Sequence, residues 1–173
     1  MNKLVTNNII WFVLLVLSQG LILRNFSEGV GGPFYFHVFL YPLFLFRFPI
    51  GTPRYIQLIV AFFLGMSIDF FYDSPGVHAA TSVFTMYVRP LVLNAFEPRE
   101  GYNINISPTI SQYGVGWISR YTGTLLLIHL FIFFSIDAFT FYYITDILLK
   151  TASSFVISIA FVLMTLFIFN TKQ

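Results

Sequence analysis

The chain is poor in charge and has no cysteine. Only 9% of its 173 residues are charged, with nine basic and seven acidic side chains, whereas a soluble domain carries about 25%. A small soluble domain has a high surface-to-volume ratio, so these few charges cannot cover a water-facing surface. The composition therefore excludes a soluble globular enzyme, a disordered tail and a nucleic-acid-binding protein. The absence of cysteine excludes disulfides, thiolate metal sites and cysteine nucleophiles.

Apolar residues make up most of the sequence instead. Hydrophobic residues reach 57%, and phenylalanine alone occupies 23 positions. Continuous apolar runs such as 9–17 and 125–128 are typical of membrane helices and lack the alternation of barrel strands. They predict an all-α, polytopic membrane helical bundle forming a single domain, 1–173. Because a span needs roughly 20 apolar residues, the sequence predicts about six spans, over 4–23, 34–48, 55–72, 77–93, 121–139 and 147–169.

Two of these spans have unusual features. The second lies between Pro33 and Pro49 and contains Pro42, which removes a backbone hydrogen bond and predicts a short or kinked span. The first begins near Lys3 and resembles a signal peptide. Its apolar run continues to Leu23, however, which favours an uncleaved anchor over a cleaved signal.

The basic residues predict an orientation in the membrane. With a cytoplasmic N-terminus, only Arg24 and Lys150 fall outside, which satisfies the positive-inside rule. The basic residues then on the inner side are Lys3, Arg47, Arg54, Arg89, Arg99, Arg120 and Lys172. Both termini are thus predicted to be cytoplasmic. The segment 94–119 becomes a cytoplasmic loop, whose prolines and glycines argue against a long helix.

The densest polar cluster follows the third span. Asp69 and Asp73 are four residues apart and would project from one helix face if the helix continued that far. A Pro-Gly pair ending at Gly76 then turns the chain into the fourth span. We expect Asp69 to accept hydrogen bonds that lock the third helix to the start of the fourth, with His78 or Ser82 as the partner. A carboxylate inside a span also leaves a proton site, an ion site or a catalytic site open.

A catalytic interpretation of this cluster is weak. Gly65, Asp69 and Asp73 match the second half of the CDP-alcohol phosphatidyltransferase signature, but the first half would need an aspartate where Gly51 stands. Two carboxylates do not make the metal centre that such chemistry requires. No catalytic residue, cofactor or metal site is therefore predicted.

The histidines lack the spacing of a zinc motif, since each lies in a different span. His129 has apolar neighbours, and a hydrogen-bonded interhelical histidine is the favoured interpretation. Small residues at helix-packing spacing occur in the third, fourth and sixth spans, namely Ala61 with Gly65, Thr81 with Thr85 and Ser154 with Ser158.

Arg89 and Pro90 lie near the end of the fourth span. Proline frees a backbone carbonyl there, and the arginine is expected to snorkel to the cytoplasmic headgroups as an anchor. Binding of a lipid phosphate or of a partner is the alternative.

These features together resemble a known family, the rod-shape-determining membrane protein MreD, in its Bacteroidetes branch. The hydropathy pattern matches over the whole chain, whereas specific residues match only in about 52–93. The phenylalanine-rich composition and Thr52-Pro53 contribute to it. The residues that carry it are Gly65, Asp69, Asp73, Gly76, His78, Ala79 and Ala80, followed by Arg89 and Pro90.

The resemblance implies a scaffold without enzymatic activity. It implies an architecture like that of the S-components of vitamin transporters, and membership of the cell-wall elongation complex. Its partners would be an MreC-like protein, a RodA-like glycosyltransferase and a class B penicillin-binding protein, with the MreB-like filament contacted indirectly. Apolar helix faces in the lipid bilayer and the cytoplasmic loop 94–119 would contact these partners.

Two other functions stay open. An S-component-like subunit that binds or transports a small molecule would need polar residues around a central cavity, and the few polar residues in the spans disfavour it. A lipid-modifying transferase is weakened by the missing half of its signature.

Overall fold

The computed structural model describes residues 3–25, 37–103 and 107–169, and these residues form an all-α membrane bundle. The first helix is continued by a π-helical stretch, Ser18–Leu23. The helices are α1 (Lys3–Leu17), α2 (Pro42–Phe46), α3 (Arg54–Tyr72), α4 (Val77–Ala95), α5 (Ile110–Ala138) and α6 (Ile144–Ile168). The pair α3 and α4 and the pair α5 and α6 form two antiparallel hairpins that meet along α4 and α5.

Three helices, α3, α5 and α6, are long and apolar enough to span a membrane. They match three of the predicted spans. The first predicted span is a shorter apolar helix over Asn8–Leu23. The fourth is a helix of 19 residues, but its apolar character is reduced by a row of buried polar residues, which are His78, Thr81, Ser82, Thr85 and Arg89.

The second predicted span is not a continuous helix. Its described part runs without regular structure from His37 and then forms only the five residues of α2. Pro42 stands in the first turn of α2, where its missing N–H has no helical partner to lose. It therefore starts a helix and does not kink one.

The segment 37–53 fills the middle of the bundle. Tyr41, Leu43, Leu45 and Phe46 have no exposed surface, and they pack with residues of α3, α4 and α5 in one apolar core. Non-helical backbone is tolerated at membrane depth only where protein surrounds it and supplies its hydrogen bonds. The residues that do so form the candidate site described below.

The predicted loop 94–119 is too long. α4 continues to Ala95 and α5 begins at Ile110. The described part of the connection between these helices is non-helical, as its prolines and glycines predicted. Within α5 the backbone is interrupted at Gly114, which is non-helical at φ 77° and ψ 163°, a conformation that glycine adopts without steric cost.

The remaining connection packs back onto the helices. The Tyr102 hydroxyl donates to the Leu93 carbonyl at 2.8 Å, and the Trp117 indole donates to the Phe96 carbonyl at 2.7 Å. Burial raises the pKa of Tyr102 to about 12, so its hydroxyl keeps its proton at neutral pH. Aromatic side chains therefore hold the described part of this connection to the helices.

Candidate functional site

The junction between α3 and α4 is built around the Asp69 carboxylate. Gly76 is the N-cap residue of α4, and it has no side chain to cap the helix. Asp69, on the last turn of α3, supplies the missing acceptor. Its Oδ1 accepts the His78 backbone N–H and its Oδ2 accepts the Ala79 backbone N–H, both at 3.0 Å. These are first-turn amides of α4, which otherwise lack partners, so Asp69 caps α4 from the preceding helix.

Two side chains complete the coordination of this carboxylate. The Ser74 hydroxyl donates to Oδ1 at 2.7 Å, and His78 Nδ1 lies 3.0 Å from the same oxygen. The predicted partnership of Asp69 with His78 is thus present in the structure. Ser82 is not a partner of Asp69. It lies one turn beyond His78, and its hydroxyl and His78 Nε2 are both buried without a partner among the described residues.

Asp73 does not share a face with Asp69. α3 ends at Tyr72, and Asp73 takes a left-handed conformation with φ 51°. Its side chain is 86% exposed and faces Arg24 Nη2 at 3.7 Å. The condition for a shared helix face is therefore not met, because α3 ends one residue before Asp73. Gly76, also left-handed at φ 84°, completes the turn.

Gly65 and Ala79 set the distance between α3 and α4. A Cβ atom added at Gly65 would lie 2.3 Å from the Ala79 Cα and 2.5 Å from the His78 carbonyl oxygen. The two backbones are in direct contact, as small residues permit in membranes. This close approach brings the α4 amides within reach of Asp69.

A second group of polar side chains binds the start of the segment 37–53, the central segment of the bundle. The Ser154 hydroxyl accepts the His37 N–H and the Ser158 hydroxyl accepts the Phe39 N–H, both at 2.9 Å. These serines were predicted as helix-packing residues, but their hydroxyls satisfy irregular backbone. Sequence reasoning missed this role, since two serines four apart give no sign of what they face.

Gln19 binds the same segment from the opposite side. Its Oε1 accepts the Leu40 N–H at 2.8 Å and its Nε2 donates to the Val38 carbonyl at 2.8 Å. Gln19 lies in the π-helical stretch of the first span, a geometry often found at functional positions. The oxygen and the nitrogen of its side-chain amide therefore both bind the backbone of this segment.

A third group surrounds Arg89, which is 1% exposed. Its Nε donates to the Tyr121 hydroxyl at 2.7 Å, its Nη1 to Gln57 Oε1 at 3.3 Å, and its Nη2 to the Phe48 carbonyl. The predicted snorkelling anchor is therefore wrong: the side chain turns into the bundle because three neutral acceptors satisfy it there. Pro90 lies inside α4 without ending it.

The partners of Arg89 hold the end of the central segment. The Tyr121 hydroxyl donates to the Phe46 carbonyl at 3.0 Å, and Gln57 Nε2 donates to the Thr52 carbonyl at 2.7 Å. With Gln19, Ser154 and Ser158 at the start, polar side chains of five helical elements fix one buried segment.

His129 joins this network at the centre. Its Nε2 lies 2.7 Å from the Tyr41 hydroxyl and its Nδ1 lies 2.8 Å from the Thr85 hydroxyl. Because Thr85 already donates its proton to the Thr81 carbonyl, it must accept from Nδ1–H, which leaves Nε2 to accept from Tyr41. The interhelical role predicted for His129 agrees with this geometry.

Arg89→Lys is expected to lower the free energy of unfolding by about 2 kcal/mol. A lysine ammonium cannot contact three acceptors spread around a planar guanidinium, so the Gln57, Tyr121 and Phe48 groups lose a donor. The measurement is the thermal midpoint of the purified protein in detergent. Arg54→Lys is the matched control, since Arg54 is exposed and donates to a single carbonyl, that of Tyr87. Equal midpoints for the two variants would contradict the structural role of Arg89.

Comparison with protein-family models, with curated proteins and with solved structures finds no match for this chain.

Proposed function

We propose that this chain is a non-enzymatic membrane scaffold of the bacterial cell-wall elongation complex, similar to MreD. It would bind an MreC-like protein in the inner membrane and support peptidoglycan synthesis and cell shape. The RodA-like glycosyltransferase and the class B penicillin-binding protein would be its further partners. The cytoplasmic position of both termini belongs to the same proposal.

One observation carries this proposal: the residues of the resemblance are used in holding the chain together. Asp69 caps α4, Gly65 and Ala79 bring two helices into contact, and Arg89 binds the central segment. In a catalytic or transport site, such side chains would instead converge on a space for a substrate. The outer surface then remains as the part of the molecule available for function, and this supports a binding role.

The outer surface offers an aromatic face on α3. Phe62, Phe63 and Phe70 are exposed together with Tyr55 and Ile59, at spacings that place them on one side of the helix. Lipid tails give apolar helices little reason to associate, so van der Waals packing between complementary helix faces is a main source of affinity in a bilayer. We assign this face to the membrane-embedded part of the MreC-like partner.

The alternative of a small-molecule carrier finds no support in the bundle centre. The segment 37–53 occupies that position with side chains that have no exposed surface, including Tyr41, Leu45 and Phe46. The neighbouring polar groups bind its backbone and are not arranged around an open space.

Co-purification tests the scaffold directly. The tagged chain is extracted from its own membranes in a mild detergent and the bound proteins are identified. We expect an MreC-like protein and wall-synthesis proteins. Recovery of an energy-coupling transporter module instead would refute the scaffold and support the carrier.

The α3 face is tested with a pair of variants. Phe63→Ala with Phe70→Ala is expected to reduce recovery of the MreC-like protein several-fold, since aromatic anchors carry much of an interface's affinity. Val156→Ala with Met164→Ala, on the exposed side of α6, is the control and should leave recovery unchanged. Undiminished recovery with the α3 pair at normal protein levels would show that the partner binds elsewhere.

A further inference from the structure

A small cavity lies where the start of α1 meets the end of α2. It has a volume of about 20 Å³ and is lined by Asn8, Trp11, Phe44, Arg47, Phe48 and Ser107, among others. About one water-sized atom fills such a volume. Leu15 completes the lining. The cavity thus combines a cation, an amide and a hydroxyl with aromatic walls.

Arg47 is the uncompensated charge of this cavity. Its Nη1 is buried and has no hydrogen-bond partner among the described residues. Its guanidinium carbon sits 4.6 Å from the centre of the Trp11 ring, which holds the planar group in place. None of the carboxylates in the described ranges lies within salt-bridge distance of it. A buried cationic N–H without an acceptor is costly, and an anionic oxygen would remove that cost.

The two other arginines nearby differ from Arg47. Arg89 has an acceptor for each of its three nitrogens. Arg54 also stacks on an aromatic ring, that of Tyr87 at 4.7 Å, but it donates to the Tyr87 carbonyl and is exposed. Arg47 therefore combines a stacked guanidinium with a buried N–H that still lacks an acceptor.

The surrounding end of the bundle is rich in positive charge. The start of α3, the loop after α4 and the start of α5 lie at this end and contribute Arg54, Arg99 and Arg120, against Glu97 and Glu100. This end would therefore attract anionic groups.

We propose that this cavity binds one oxygen of a phosphate group. The Arg47 guanidinium supplies the charge, Asn8 and Ser107 supply polar groups, and Trp11 fixes the guanidinium plane. Because the cavity accommodates a single oxygen, the rest of the phosphate stays at its mouth. In a membrane protein the nearest source is the headgroup of an anionic phospholipid, and free inorganic phosphate carries the same chemistry.

Lipid retention by the purified full chain tests this proposal. The delipidated protein is mixed with phosphatidylglycerol, phosphatidylcholine or inorganic phosphate, and bound species are counted by native mass spectrometry. We expect phosphatidylglycerol to be retained over phosphatidylcholine, and Arg47→Gln to reduce its retention about five-fold, the value of one cation beside an anionic lipid. Arg54→Gln, the matched stacked arginine outside the cavity, should reduce retention clearly less than Arg47→Gln, and an equal reduction by the two variants would overturn the proposal.

Each outcome decides the proposal. Unchanged retention of phosphatidylglycerol by Arg47→Gln overturns it, as does equal retention of both lipids by the wild type. Displacement of the lipid by millimolar inorganic phosphate supports the site and identifies the free anion as a second source. If Arg47→Gln fails to fold, Arg47→Met serves as the neutral variant, and Arg47→Lys, which keeps the charge, should retain more lipid than Arg47→Met; equal retention by these two would overturn the proposal. A thermal midpoint of the wild type that phosphatidylglycerol raises no more than phosphatidylcholine also overturns the proposal.

Discussion

Asp69→Ala is expected to abolish most of the folded protein. The change leaves the backbone N–H groups of His78 and Ala79 without an acceptor at the buried start of α4, and it removes the partner of the His78 ring. An unpaired buried donor costs about 1–3 kcal/mol, so the total loss is about 3–5 kcal/mol. A negative charge at a helix N-terminus is itself stabilising, and this contribution is lost as well. The measurement is the amount of monodisperse protein in detergent and its thermal midpoint.

Two variants distinguish the capping role from other roles of Asp69. Asp69→Asn keeps an oxygen acceptor and should retain an intermediate level of folded protein. Asp73→Asn is the matched control, because Asp73 is exposed and its pairing with Arg24 at 3.7 Å is worth about 0–1 kcal/mol. Asparagine also tolerates the left-handed conformation at that position. If Asp69→Asn instead folds normally but loses function, a proton or ion role for the carboxylate gains support.

Gly65→Ala is expected to have a similarly large effect. The new methyl group would lie 2.3 Å from the Ala79 Cα and 2.5 Å from its backbone nitrogen. Because these are backbone atoms, no side-chain rotation can relieve the overlap, and α3 and α4 must separate. Separation also removes the α4 amides from Asp69, so the loss should reach about 3 kcal/mol or more. The thermal midpoint and the folded yield measure it.

The matched control for this variant is Gly123→Ala in α5. A Cβ atom there would lie 3.9 Å from the Phe155 ring, which is an ordinary contact, and alanine favours the helix by up to about 1 kcal/mol. Ala79→Gly added to Gly65→Ala should not restore the fold, since the overlap is with backbone. A full rescue by Ala79→Gly would show that the α3–α4 contact is made by side chains.

Much of the α3–α4 junction could be predicted from the sequence. The end of one apolar run and the Pro-Gly pair before the next placed a turn at Gly76. The Asp69 carboxylate, about one helical turn before the end of the first run, had few other possible partners. The contact of Asp69 with His78 followed from this local spacing. The orientation of Asp73 did not, because it depends on whether α3 ends before or after that residue.

Residues far apart in sequence could not be interpreted in the same way. Arg89 was predicted to reach the headgroups, yet Gln57 and Tyr121 hold it inside the bundle. Ser154 and Ser158 were predicted to pack helices, yet they bind the backbone of His37 and Phe39. In both cases the role depends on which distant acceptor or donor comes within hydrogen-bond distance.

The sequence by itself determined that the chain is an apolar helical membrane protein, because hydropathy and charge are sums over local residues. It also determined that the turn at Pro75-Gly76 separates α3 from α4. Only the tertiary structure decided that the described part of the apolar segment 34–48 is buried chain around the short helix α2 and not a continuous helix. The physical reason is that a lipid-facing helix and a protein-buried segment are equally apolar. They differ in where the backbone hydrogen bonds go, and here those bonds go to side chains that other helices supply.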